Sequence, residues 1–158
     1  MFDPSQLLSI YQRMSKLPGG RRVFSKAVGT MAPYTGSIPF VVEDLRAGAA
    51  QVTMPDRRKV RNHLQSVHAI ALMNLGEVTT GLAMYAGLPR GGRGIITKLS
   101  MEYTKKARGP ITATCEIEVP TEAGEHDLVV HATLRNSAGI EVAEATAVWR
   151  IQVKNAHP

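Results

Sequence analysis

The chain has 158 residues, 44% hydrophobic and 20% charged, which suits one globular domain with a real core and excludes a disordered chain. Nineteen Lys and Arg against thirteen Asp and Glu give a net charge of +6; this favours an anionic partner without choosing among nucleic acid, an acidic membrane and a phosphorylated small molecule. Aromatic residues are only 5%, too few for a base-stacking platform, and no zinc-finger spacing is present, so no nucleic-acid partner is expected.

Cys115 is the one cysteine. It permits no intrachain disulfide and fits a reducing cytosol, and a cytoplasmic location is the expectation. The first residues lack the basic start, apolar run and small-residue cleavage site of a signal peptide. Residues 64–89 form the one candidate membrane span, but Gln65, His68, Asn74, Glu77, Thr79 and Thr80 would all need partners in lipid, so no membrane insertion is expected.

In chain order, Asp3, Pro4 and Gln6 read as a helix start, with Leu7, Leu8, Tyr11 and Met14 at helical spacing and Gly19-Gly20 as the stop. A second helix is expected over residues 21–31. Strands are expected over 40–45 and 49–54, joined by the turn Arg46-Ala47-Gly48. After a basic loop, Ser66 is a candidate cap for a long helix running to about residue 86, ended by Gly87 and Pro89. Strands then read over 95–103, 111–119, 126–135 and 140–153. In the first of these, Ile95, Thr97, Leu99, Met101 and Tyr103 share one face by alternation.

Strands in series predict an antiparallel sheet. The long helix is apolar nearly all round, so it is expected to be buried on most sides. The simplest arrangement is an α+β fold in which a curved antiparallel sheet wraps a central helix, a hotdog-like architecture. One domain is expected over residues 1–158, with a helical extension at 1–35 and a core at 36–154.

From Leu64 to Pro89 the one formally charged side chain is Glu77. Burying a carboxylate without partners is costly or raises its pKa. On a helix Glu77 shares a face with Met73, Asn74, Thr80, Gly81 and Met84. Gly81 leaves space one turn on, and Asn74 or Thr80 is a candidate hydrogen-bond donor. This reads as a pocket with one reactive group; periodicity leaves two alternatives open, that Glu77 points to solvent or that it pairs with an arginine of the basic loop. The helix start adds Asn62, His63, Gln65, Ser66 and His68, beside free backbone N–H groups suited to an oxyanion. Singly, Asn62 reads as a turn residue, Ser66 as a cap and His68 as a structural histidine.

Together, Asn62-x5-His68-x8-Glu77 resembles the signature of hotdog-fold acyl-CoA thioesterases of the phenylacetate-pathway type. The run from Met101 to Gly109 is similar to a strand segment of that family. The likeness covers roughly residues 57–153. It is nearer to a bacterial branch of unassigned function, DUF4442-like, in which Ser-Val-His-Ala replaces the His-Gly-Gly element. The resemblance implies that Glu77 attacks the thioester or activates water, that Asn62 and His68 orient the reacting groups, and that the N–H of Ala69 polarises the carbonyl. Ser66, Ile70, Met73, Gly81 and Thr97 are the candidate substrate contacts, Thr97 by its place in the family, and the resemblance makes Arg93, Lys105 and Arg108 candidates for the phosphates of coenzyme A. It also implies a site between subunits, hence a homodimer or homotetramer.

No cofactor is expected beyond coenzyme A as part of the substrate. No metal is expected either, because the five histidines lack ligand spacing. The departures from Gly-Gly leave a second reading, a non-catalytic binder of acyl-CoA or a lipid-like ligand. A dehydratase of the same fold is a third.

Overall fold

The computed structural model describes residues 6–154; the expected cap at Asp3 and Pro4 lies outside them. Helix α1 (Leu7–Met14) buries Leu7 and Tyr11, and α2 (Gly20–Met31) buries Phe24, Ser25 and Val28. The two helices meet through an edge-to-face contact of Tyr11 and Phe24, with ring centroids 5.1 Å apart. They are fastened to the first strand, β1 (Val41–Arg46), by polar bonds. The Tyr11 hydroxyl donates to the Glu43 carbonyl at 2.7 Å, and the Val42 amide donates to Ser25 Oγ at 2.8 Å. The helices thus cover an outer strand that would otherwise present unpaired amides.

β1 turns through Ala47-Gly48 into β2 (Ala49–Met54), with Gly48 at φ +72°. The long helix α3 (Ala69–Gly87) follows, then β3 (Arg93–Tyr103), β4 (Ile111–Glu116), β5 (Gly124–Asn136) and β6 (Glu141–Val153). The six strands form one antiparallel sheet in the order β1-β2-β4-β5-β6-β3. The inner face carries Val52, Met54, Ile111, Ala113, Val130, Leu134, Ala145 and Ala147, all essentially inaccessible. The sheet curves round α3, whose Leu75, Ala83 and Met84 are equally buried. This is the hotdog architecture expected from the helix's apolar circumference and the strands in series.

Small residues set the depth of the helix. Ala143, Ala145 and Ala147 of β6 face it, and a Cβ placed on Gly76 would stand 2.5 Å from the Ala145 Cβ. Helix and strand therefore approach at that point as closely as two backbones carrying hydrogen and methyl groups allow.

Three features differ from the sequence expectation in ways that bear on the site. α3 starts at Ala69 and is capped by His68, whose Nδ1 accepts the Ile70 amide at 3.1 Å; Ser66 is not the cap. β4 ends at Glu116 rather than at residue 119. In β3 the pairing with β6 shifts between Ile96 and Lys98. Thr97 is the extra residue of this β-bulge, so the alternation changes phase there. Ile96, Leu99 and Met101 are partly buried and pack against the core, while Ile95 is 65% exposed and Thr97 is exposed. Simple alternation assigned Ile95 and Thr97 to the wrong face.

Candidate active site

Glu77 lies two turns into α3, on the side facing the N-terminal helices rather than the sheet. It is half-buried, and one oxygen accepts a hydrogen bond from the Thr35 hydroxyl at 3.4 Å. Thr35 belongs to a short 3-10 turn, Thr35–Ser37, that follows α2. The neighbouring Asn74 amide donates to the Tyr34 carbonyl at 3.3 Å and, at 3.5 Å, to the Thr35 carbonyl and Ser37 Oγ. One helix face thus holds the turn in place, and the turn returns one hydroxyl to the carboxylate.

Burial pushes the Glu77 pKa above its ordinary value, against a smaller lowering by the Thr35 hydrogen bond. No ion pair involving Glu77 occurs among the described residues. The alternative of an arginine partner from the basic loop is excluded for Arg61, which makes a bidentate pair with Asp56 at 2.7 and 2.8 Å.

The carboxylate borders a cavity of about 390 Å³. Its walls come from α1 and α2 (Leu7, Val28, Met31), from α3 (Val78, Gly81, Leu82, Tyr85) and from Trp149 of β6. Apart from Glu77 and Thr35 the lining is apolar or aromatic. The Trp149 indole N–H donates to Thr80 Oγ1 at 3.3 Å, and its ring stands edge-on to Tyr85. Two expectations are corrected here. Thr80 is occupied by Trp149 and by the Glu77 carbonyl, at 3.0 Å, and gives nothing to the carboxylate. The space beside Gly81 is filled by the Trp149 ring, 3.2 Å from where a Cβ would be.

The start of α3 forms a second cluster. Asn62 Oδ1 accepts the amides of Leu64 (2.9 Å) and Ser66 (3.1 Å), so Asn62 shapes the turn in which Gln65 takes φ +56°. His68, Ala69 and Ile70 are exposed, and the Tyr103 hydroxyl donates to the Ala69 carbonyl at 3.0 Å. Ser66 is buried, with its hydroxyl unpartnered. The Val67 amide donates to the Ala107 carbonyl at 2.8 Å, which brings the loop of Lys105 and Arg108, both exposed, against this helix start.

Arg93 is not part of that cluster. It begins β3, whose far end is Tyr103, and ten steps of strand span about 33 Å. Thr97 is spent on the Val148 carbonyl at 3.2 Å, and Met73 is half-buried outside the cavity lining.

Within one chain the expected residues therefore form two groups. Asn62, Ser66, His68, Ala69, Ile70, Lys105 and Arg108 gather at the helix start, and Glu77 and Gly81 gather at the cavity. About 12 Å of helix separates Ala69 from Glu77, so no single acyl carbonyl reaches both in one subunit. The sequence reading missed Thr35, Tyr85 and Trp149. Trp149 was accessible in principle, since it continues the inward alternation of Ala143, Ala145 and Ala147. Thr35 carries no local signal, because its role depends on how the extension folds back. Among the described residues no cluster of His, Cys, Asp and Glu could hold a metal ion, and no helix is long and apolar enough to cross a membrane.

Comparison with known proteins is consistent with this architecture. A structural-genomics crystal structure is 34% identical, with a TM-score of 0.79 over 94% of this chain and 97% of the other. A Pseudomonas aeruginosa protein of unknown function described as a probable thioesterase is 22% identical, with a TM-score of 0.72 over 86% and 96%. A hypothetical thioesterase from Streptococcus pneumoniae, solved with coenzyme A, is 20% identical, with a TM-score of 0.66 over 81% and 99%. A search of curated proteins finds no match. The profile of a domain of unknown function, DUF4442, matches residues 20–151, from the start of the second helix to within two residues of the end of the last strand. The chain belongs to the DUF4442 family and carries it on a hotdog fold.

Proposed function

We propose that the protein hydrolyses an acyl thioester, with coenzyme A as the thiol carrier and Glu77 as the group that activates water. The observation that carries this reading is a carboxylate with a raised pKa and no cation beside it, on the wall of an apolar cavity. A raised pKa makes the ionised form a better base. Glu77 takes a proton from water, the water oxygen bonds to the thioester carbon, and the C–S bond breaks as the tetrahedral oxyanion collapses, with coenzyme A leaving as the thiolate and taking the proton back from Glu77. The acyl group lies against Val28, Leu82, Tyr85 and Trp149. The S. pneumoniae neighbour solved with coenzyme A supports that carrier.

The oxyanion donor we assign is the Ala69 N–H of a partner subunit, because the same chain's own helix start is too distant from Glu77. The exposed helix start and the unpaired outer edge of β3 support a site completed by a second copy. Lys105 and Arg108, next to that helix start, are suited to the coenzyme's phosphates.

The test is thiol release from short, medium, long and aryl acyl-CoAs by the wild type and Glu77→Gln. Loss of about 100-fold or more in rate with ligand binding retained is the expected result. Equal rates in the two proteins would sink the role of Glu77.

A second reading, a non-catalytic acyl-CoA binder, is favoured by one observation. The Asn62 and His68 side chains are both committed to nearby backbone amides, as structural residues would be. Tight binding of acyl-CoA with no turnover by the wild type would select it.

A further inference from the structure

The outward side of the N-terminal helices contributes little to the cavity, and its chemistry is unusual. Between Gln6 and Val42 the sequence holds five cations, Arg13, Lys16, Arg21, Arg22 and Lys26, and no Asp or Glu. From Glu43 onward the charges nearly balance, with fourteen cations against twelve acids. The protein's positive charge is thus concentrated in this extension. Arg21 is paired with Glu43 at 3.3 Å, whereas Arg22 and Lys26 line an open groove with Lys59 in which no acidic residue takes part.

The same surface is apolar. Leu17 is 63% exposed, Val23 60%, Met31 50% and Tyr34 72%. Along α2, Val23, Ala27 and Met31 recur at four-residue steps, and so do Arg22 and Lys26 beside them. The inward positions Phe24, Ser25 and Val28 are already used against α1 and β1. The outward face of α2 is therefore two parallel rows, one apolar and one cationic, with Leu17 and Tyr34 at its ends. Met31 also belongs to the wall of the Glu77 cavity.

We propose that this face is a docking surface for an anionic lipid bilayer. Leu17, Val23, Met31 and Tyr34 enter the interface, and Arg22, Lys26 and Lys59 meet the headgroup phosphates. Parallel apolar and basic rows on one helix are what an interfacial helix requires, and the negative surface of anionic lipid supplies the matching charge. A second copy of this chain is a poor occupant, because a two-fold contact here would set the cation row against the partner's cation row or its apolar row, with no acid in the groove to pair it. A nucleic acid would match the charges and leave the apolar row without a counterpart. The docking does not rest on thioester hydrolysis and stands or falls separately from it.

The test uses the full chain and cosedimentation with two kinds of vesicle, pure phosphatidylcholine and phosphatidylcholine with about a third phosphatidylglycerol. Binding to the mixed vesicles, little to the neutral ones, and release as salt rises from about 0.1 to about 1 M are expected. Arg22→Glu with Lys26→Glu should weaken binding roughly tenfold or more. Val23→Ser with Met31→Ser should also weaken it at unchanged charge. Lys98→Glu with Lys154→Glu, the same charge change elsewhere, should leave it nearly intact. All six positions are exposed, so these variants keep the core.

No binding to anionic vesicles overturns the proposal. So does equal loss from both charge pairs, or indifference to Val23→Ser with Met31→Ser. A fall in oligomer mass by light scattering on the Val23 and Met31 changes would assign the face to a protein contact instead. Duplex DNA binding that depends on Arg22 and Lys26, without vesicle binding, would assign it to nucleic acid.

Discussion

Glu77 is a carboxylate placed between two opposing influences. Burial raises its pKa, and the Thr35 hydroxyl lowers it by a smaller amount. Because its folded-state pKa lies above the unfolded one, ionisation at neutral pH works against folding, and that cost vanishes as pH falls below the unfolded value. Glu77→Gln should therefore raise the melting temperature at neutral pH, and the gain should shrink in acid; calorimetry at several pH values checks this. In the proposed reaction the sign is the other one, since the base must be ionised. Activity should fall in acid with an apparent pKa above the usual glutamate range. Thr35→Ala, which removes the one hydrogen bond to the ionised oxygen, should move that limb of the pH–rate profile further up. Cys115 offers a simpler case. Burial, aided by the neighbouring Glu116, pushes its thiol pKa up to about 12, so iodoacetamide should label it only after denaturation, as read by mass spectrometry.

Among the elements, α3 and β3 were legible to different degrees. The helix announced itself through its length, its apolar circumference and Pro89 behind it. Its first turn did not, because Ser66 is the preferred cap by residue type whereas the cap used is His68, and that depends on where the Asn62 turn leaves the chain. Strand β3 was legible as a strand, yet the face of Ile95 and Thr97 was not, since a bulge is a property of the pairing with β6 and has no mark in β3 alone. The contact between α3 and β6 yields a direct prediction. Gly76→Ala would drive a methyl group into Ala145 and the Met101 side chain, and overpacking of this kind costs about 1–3 kcal/mol. Urea unfolding should record that loss, although alanine is the better helix former at an unconstrained position.

For the whole molecule, the proposed reaction requires the helix start and the cavity to act on one substrate. The 12 Å or so between Ala69 and Glu77 is an obstacle within a subunit, and the proposed reaction therefore calls for the helix start of a second copy. β3 is an outer strand with one edge unpaired and Ile95 exposed beside it. Light scattering is expected to find at least a dimer. If that dimer joins along β3, Ile95→Asp removes apolar burial worth about 1–2 kcal/mol and should weaken it roughly tenfold. A monomeric wild type with full hydrolytic activity would contradict the shared site.

The sequence by itself determined the elements, their order and the isolation of Glu77. Those follow from local patterning: period two in strands, a long uninterrupted apolar run for the helix, and the absence of any other charge over more than twenty residues. It also determined that the stretch from Gln6 to Val42 carries cations and no acid. Only the tertiary structure decided what surrounds the carboxylate. The residues that do so, Thr35, Val28, Tyr85 and Trp149, are scattered from one end of the chain to the other. No periodicity links them, and they meet only because small side chains on β6 let α3 sink into the sheet while Asn74 draws the extension over its free face.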